Sequence, residues 1–67
     1  MKLTINGQSL TFSNRITHVD QLLHELDVKV KTVVVELNRR ILTREDHDEA
    51  VLKDGDCLEI VHFVGGG

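Results

Sequence analysis

Apolar and polar residues alternate from the second residue onward: Leu3 and Ile5 are interleaved with Lys2, Thr4 and Asn6, and then Leu10 and Phe12 with Ser9, Thr11 and Ser13. A period of two places the apolar side chains of each run on one face of a strand. Between the runs stands Asn6-Gly7, the pair that best tolerates the positive φ angles of a two-residue hairpin turn. Residues 2–13 therefore predict a β-hairpin.

The period then changes. Val19, Leu22, Leu23 and Leu26 fall at i, i+3, i+4 and i+7, an apolar stripe, while Asp20, Gln21, His24 and Glu25 take the wet side of a helix. Thr17 is the expected N-cap, with Asp20 three residues on as the acidic partner of a capping box. The helix is expected to end near Asp27, because Val28, Val30 and Val33 to Val35 are β-branched and favour strand. Val33 to Leu37 reads as a strand buried inside a sheet. Asn38-Arg39-Arg40 reads as a turn and Ile41-Leu42 as a short return strand. Residues 44–50 are a polar connection with room for one helical turn, after which Val51 and Leu52 drop back towards the core. Lys53-Asp54-Gly55-Asp56 is a turn with its glycine at the left-handed position. The last strand runs from Cys57 to about Phe63, with Leu58 and Ile60 on one face and Glu59 and Val61 on the other.

A helical stripe needs a sheet face to bury it, and nothing else here supplies one. The expectation is an α+β fold, a mixed sheet of four to five strands with one helix packed across it. Residues 1–63 make the domain and 64–67 a flexible C-terminal Gly tail.

Composition narrows the function classes. Sixty-seven residues make one small domain, and a chain of this size buries only about 60% of the surface its unfolded form exposes. Nine Leu, nine Val and four Ile, spread along the whole chain, still provide a core. Two Phe are the only aromatics and the formal net charge is −3. Single-stranded nucleic acid wants a stacking platform and phosphate backbones want a basic face, so no nucleic acid is expected as a partner. One cysteine builds no disulfide framework. No apolar run approaches the ~20 residues that span a bilayer, and Lys2 is followed by alternation rather than by the apolar stretch of a signal peptide. A soluble, cytoplasmic monomer with no membrane partner is the expectation.

The final strand runs through Phe63-Val64 into Gly65-Gly66-Gly67. The order of elements, the Lys53-Asp54-Gly55-Asp56 turn, the segment Glu59-Ile60-Val61-His62 and the terminal Gly66-Gly67 together resemble the ThiS family, the ubiquitin-like sulfur carriers of thiamine biosynthesis, over essentially the whole chain. The resemblance implies a β-grasp fold. It also implies that the carboxylate of Gly67 is adenylated with ATP by an adenylyltransferase resembling ubiquitin-activating enzymes (ThiF type). Sulfur from a cysteine desulfurase relay then replaces AMP, leaving a thiocarboxylate that gives its sulfur to a thiazole synthase (ThiG type). On this carry-over Gly67 is the modified residue, and Gly66 and Gly65 thread the partner's active site. The superfamily motif needs two glycines and this chain has three, so Gly65 is the residue whose role is least defined. The chain itself is expected to bind no cofactor and to be no enzyme.

Glycine suits such work for plain physical reasons. Val64 to Gly67 reach about 13 Å when extended, and without Cβ atoms the glycines pass a narrow channel and accept whatever φ and ψ it imposes. A carboxylate is a poor acyl donor until an acyl-phosphate anhydride supplies the leaving group.

Other residues are weighed and given lesser parts. An activated thiol wants a positive neighbourhood, and Cys57 has Asp56 and Glu59 beside it, so an inert surface or rim cysteine is expected. His18, His24, His47 and His62 show no metal-binding spacing and read as solvated. His62, Phe63 and Val64 are candidates for partner docking, with Phe63 folding back onto the core as the alternative. Glu45, Asp46, Asp48 and Glu49 read as a solvated acidic loop, with steering towards a basic partner as the functional alternative. Three functions stay open: the thiamine-pathway carrier; the small subunit of molybdopterin synthase or a ubiquitin-like modifier using the same tail chemistry; and a β-grasp interaction module with an inert tail.

Overall fold

The Asn6-Gly7 pair turns the chain as its composition dictates: both residues have positive φ, 51° and 82°, and they join β1 (Lys2–Ile5) to β2 (Gln8–Thr11) in antiparallel register with Leu3 opposite Leu10. The computed structural model describes residues 1–62. After the hairpin come α1 (Val19–Glu25), a 3-10 turn (Val30–Thr32), β3 (Val33–Leu37), β4 (Arg40–Leu42), a second 3-10 turn (Arg44–Asp46) and β5 (Cys57–His62). The five strands form one sheet in the order β2-β1-β5-β3-β4. β1 and β5 run parallel, while β3 is antiparallel to both β4 and β5. A mixed sheet with one helix across it is what the patterning predicts.

The helix stripe supplies Val19, Leu22 and Leu23 to the core, all fully buried. Beneath it the sheet offers Leu3, Ile5, Val33, Val35, Leu42, Leu58 and Ile60, and Leu52 closes the side. Leu10, Phe12 and Leu26 pack against this cluster half-buried. The helix ends in a Schellman closure: the Asp27 N–H donates to the His24 carbonyl and the Val28 N–H to the Leu23 carbonyl, each at 3.0 Å. Asp27 takes the left-handed conformation there, φ 56°, a place usually given to glycine.

The helix start differs from expectation. The N-cap is His18, not Thr17, and the side chain reaching back is Gln21 rather than Asp20. Gln21 Oε1 accepts from the Thr17 N–H at 2.8 Å and the His18 N–H at 3.0 Å. The Gln side chain is one methylene longer than that of Asp, and from the third helical position that length lets it span the turn. The Val19 and Asp20 N–H groups, orphaned at any helix start, donate to the carbonyls of Ala50 and His47 at 3.0 and 2.8 Å.

Residues 44–50 are thus no free loop but the helix's backbone cap. Their packing buries His47, 4% exposed, which corrects its reading as solvated. Asp46 belongs to the same device: the Thr43 N–H donates to its Oδ2 at 3.0 Å, and hydrogen bonds from Thr43 backbone and side chain hold its carboxyl below the ordinary 3.8. Val51 is 52% exposed while Leu52 is buried, so only Leu52 returns to the core. Consecutive residues in extended chain point to opposite sides, and Val51 forms a single antiparallel bridge with His18. Val30 opens a 3-10 turn, not a strand.

Candidate functional site

The Lys53-Asp54-Gly55-Asp56 turn delivers the chain into β5. Gly55 has φ 91°, and its N–H donates to the Lys2 carbonyl at 2.7 Å, which ties the turn to the start of β1. The Asp56 side chain accepts from the Lys53 N–H at 2.8 Å and from Asn38 Nδ2 at 3.0 Å. From this anchor β5 runs through the middle of the sheet.

Its two flanks are unequal. On one side β3 accompanies it throughout, from Leu37 opposite Leu58 to Val33 opposite His62. On the other, β1 pairs only through Thr4 with Cys57 and Ile5 with Leu58, because the chain then turns away at Asn6. Beyond that point the Asn6 carboxamide takes the place of a strand. The Ile60 N–H donates to Asn6 Oδ1 at 2.7 Å, and Asn6 Nδ2 donates to the Ile60 carbonyl at 3.1 Å.

The outer face of β5 carries Cys57, Glu59 and Val61, opposite to the buried Leu58 and Ile60. Val61 is 55% exposed and Ile41, on the same face of β4, 67%. Between them Glu36 and Glu59 lie directly opposite each other. Cys57 is a free, exposed thiol; its N–H donates to Asn38 Oδ1 at 2.9 Å, so the residue serves the turn through its backbone.

His62 closes β5 and is exposed. Phe63, Val64, Gly65, Gly66 and Gly67, which carry the tail, the docking candidates and the modified terminus, lie outside the described residues. Of the remaining histidines, His24 is exposed and His18 Nδ1 lies 2.8 Å from Thr17 Oγ1. Among the described residues no three His, Cys, Asp or Glu gather as a metal site, and no helix is long and apolar enough to cross a membrane. The residue missed by sequence reading is Asn6. It reads as a turn former, and a bond to a residue 54 positions away leaves no local signature.

One helix across a mixed sheet, parallel first and last strands, and a central last strand that leads on into a glycine-rich segment define the ubiquitin-like β-grasp class. Within that class the chain belongs to the ThiS family, whose family model matches residues 3–67. It is 38% identical over 65 residues to the sulfur carrier protein ThiS of Bacillus subtilis, with 97% of this chain and 98% of that one covered. It is 46% identical over all 67 residues to a thiazole synthase of Paramagnetospirillum magneticum, of whose length it spans only 20%. The crystal structure of a thiamine biosynthesis protein (ThiS) from Geobacter metallireducens superposes with a TM-score of 0.86 at 42% identity, both chains covered completely.

Proposed function

We propose that this chain is a sulfur carrier of thiamine biosynthesis, a substrate handed between enzymes and not itself a catalyst. The observation that carries this reading is the end-to-end match to a sulfur carrier protein, with 98% of that relative covered at 38% identity. The Gly67 carboxylate attacks the α-phosphate of ATP in the active site of an adenylating partner, and pyrophosphate leaves. A sulfur nucleophile from a cysteine desulfurase relay then attacks the acyl carbon. The terminal sulfur of the relay's persulfide forms the new bond as AMP leaves. A second thiol then attacks the relay sulfur of this acyl disulfide, so that the S–S bond breaks, the thiocarboxylate remains on Gly67 and the relay is left as a disulfide. Gly66 and Gly65 thread the partner's site, and Phe63 and Val64 join His62 in the contact with it. The body of the domain supplies recognition.

A thiazole synthase is the consumer of the sulfur on this reading. Its support is the full-length likeness of this chain to one fifth of a thiazole synthase, which points to carrier and synthase working side by side. The cytoplasm suits the chemistry, since ATP is at hand there and thiols stay reduced.

The test is the intact mass of the protein made together with a matching adenylating enzyme and purified without reductant. The expected product is heavier by the difference between one sulfur and one oxygen, and removing Gly67 abolishes it. A chain that stays unmodified with ATP, enzyme and sulfur donor all present sinks the carrier reading and favours an interaction module with an inert tail.

A further inference from the structure

The C-terminal half of β5 has one strand partner where its N-terminal half has two. From Glu59 to His62 only β3 runs alongside, because β1 ends at Ile5 and turns away. A central strand that loses a neighbour exposes a row of backbone donors and acceptors and is free to splay. Here one side chain stops that. The Asn6 carboxamide presents an acceptor and a donor in the same plane, and it satisfies the Ile60 N–H at 2.7 Å and the Ile60 carbonyl at 3.1 Å. Both bonds are partly buried, and buried backbone groups require partners. The turn conformation aims the side chain: at φ 51° the Asn6 backbone is left-handed, so the geometry that makes the hairpin also turns the carboxamide towards β5.

We propose that Asn6 is a positioning residue for the carrier chemistry: by clamping Ile60 it fixes the course of β5 up to His62, the root from which the Gly67 carboxylate is presented to a partner. This inference rests on the carrier reading above. Its physical content is pre-organisation. His62 and Gly67 are separated by few residues, an extended reach of roughly 17 Å. A body docked on an enzyme presents the carboxylate at a concentration set by how far the root of that reach wanders. When only a fraction of molecules holds the competent root, apparent affinity falls by that fraction while turnover at saturation does not. Asn6 touches neither ATP nor enzyme in this scheme. It acts through Ile60.

The experiment is steady-state ATP–pyrophosphate exchange by a purified matching adenylating enzyme, with the carrier as varied substrate, on the wild-type chain, Asn6→Gly and Asn6→Asp. Glycine accepts the positive φ and deletes both bonds. Aspartate keeps the acceptor for the Ile60 N–H and loses the donor. Leu10→Val, on the edge strand β2, serves as a destabilised control that leaves Ile60 alone. Asn6→Gly is expected to raise KM about fivefold with kcat within about twofold, Asn6→Asp to fall between it and wild type, and Leu10→Val to leave KM unchanged. Amide exchange at Ile60 in Asn6→Gly should quicken by about tenfold or more relative to Val61, whose backbone is held by β3.

A KM unchanged in Asn6→Gly overturns the proposal, as does a rise in KM no larger than the folded fraction lost, read by circular dichroism, accounts for, because unfolded carrier dilutes the varied substrate and raises apparent KM without lowering kcat. Should Asn6→Gly fail to fold, Asn6→Asp with a wild-type KM overturns it equally. A wild-type chain that supports no exchange at all refutes the carrier reading itself and the positioning role with it; an active wild type with an indifferent Asn6→Gly refutes the positioning role alone.

Discussion

The two halves of β5 lie in the same strand and do different work. Leu58 is bracketed by β1 and β3 and is all but fully buried, while Cys57 pairs with β1 and its carbonyl accepts from the Asn38 N–H. Glu59 to His62 have β3 on one side and a single carboxamide on the other, and they carry the exposed Val61 and His62. Cohesion is concentrated where the strand enters the sheet and thins towards the residues that continue into the glycines. A carrier needs this gradient. On the carrier reading proposed above, the body is recognised as a rigid unit while the chain end conforms to two different active sites.

The largest test of the contrast is deletion of Gly66 and Gly67. Sulfur loading, read by intact mass, should vanish completely, while urea denaturation should show stability within about 0.5 kcal/mol of wild type, as expected for a change that removes none of the core residues. A fall in stability comparable to a core mutation would mean that the end of the chain is part of the body. Leu58→Ala attacks the other half. Removing a buried leucine costs about 2–5 kcal/mol, a large share of what so small a domain possesses, and equilibrium denaturation should show a population already partly unfolded in water.

Val61→Ser, three residues along the same strand, sharpens the contrast by doing little: its side chain faces water, and stability should stay within about 0.5 kcal/mol. A cost near that of Leu58→Ala would erase the distinction between the halves. The smallest effect is confined to acid and lies away from β5, at the Thr43 turn. The Asp46 carboxyl is held below 3.8 by its Thr43 hydrogen bonds. A depressed folded-state pKa gives stability that is present above the unfolded value and lost as pH falls through the folded one. Asp46→Asn should therefore flatten the acid limb of a stability–pH profile below about pH 4 and leave its shape near neutrality unchanged. An acid limb identical to wild type would place the acid sensitivity elsewhere.

Much of this molecule was legible because its strongest signals are local. Asn6-Gly7, the Val19-Leu22-Leu23 stripe and Gly55 each announce their element within a few residues, and each forms as expected. The resemblance of the final strand and its glycines led to the family that the comparisons bear out. What stayed hidden depends on distant contacts. His47 looks like any loop histidine until residues 44–50 fold over the start of α1 and bury it. Its Nδ1 then finds no hydrogen-bond partner among the described residues. Thr17 is the better N-cap by composition, but the carbonyls of His47 and Ala50 and the reach of Gln21 set the helix start one residue later. Asn38 and Arg39 both adopt positive φ, 50° and 71°. Asn suits this, but Arg does not advertise it, and the strand pairing of β3 with β4 imposes it. The Asn6 clamp is the extreme case, since its two ends are almost a whole chain apart.

One property of the topology bears on how the protein is made. β5 is the last strand in chain order, yet it sits between β1 and β3 and joins the two hairpins into one sheet. A ribosome working from the first residue produces β1-β2, then α1, then β3-β4, with nothing to seal them until residues 57–62 have emerged. Contacts of such long sequence separation form late, and domains fold as units during synthesis. A nascent or prematurely terminated chain therefore has no finished body to offer a partner enzyme. On the carrier reading, the strand that completes the fold is the one that leads into the end to be modified, so recognition of the body reports that synthesis has reached residues 57–62.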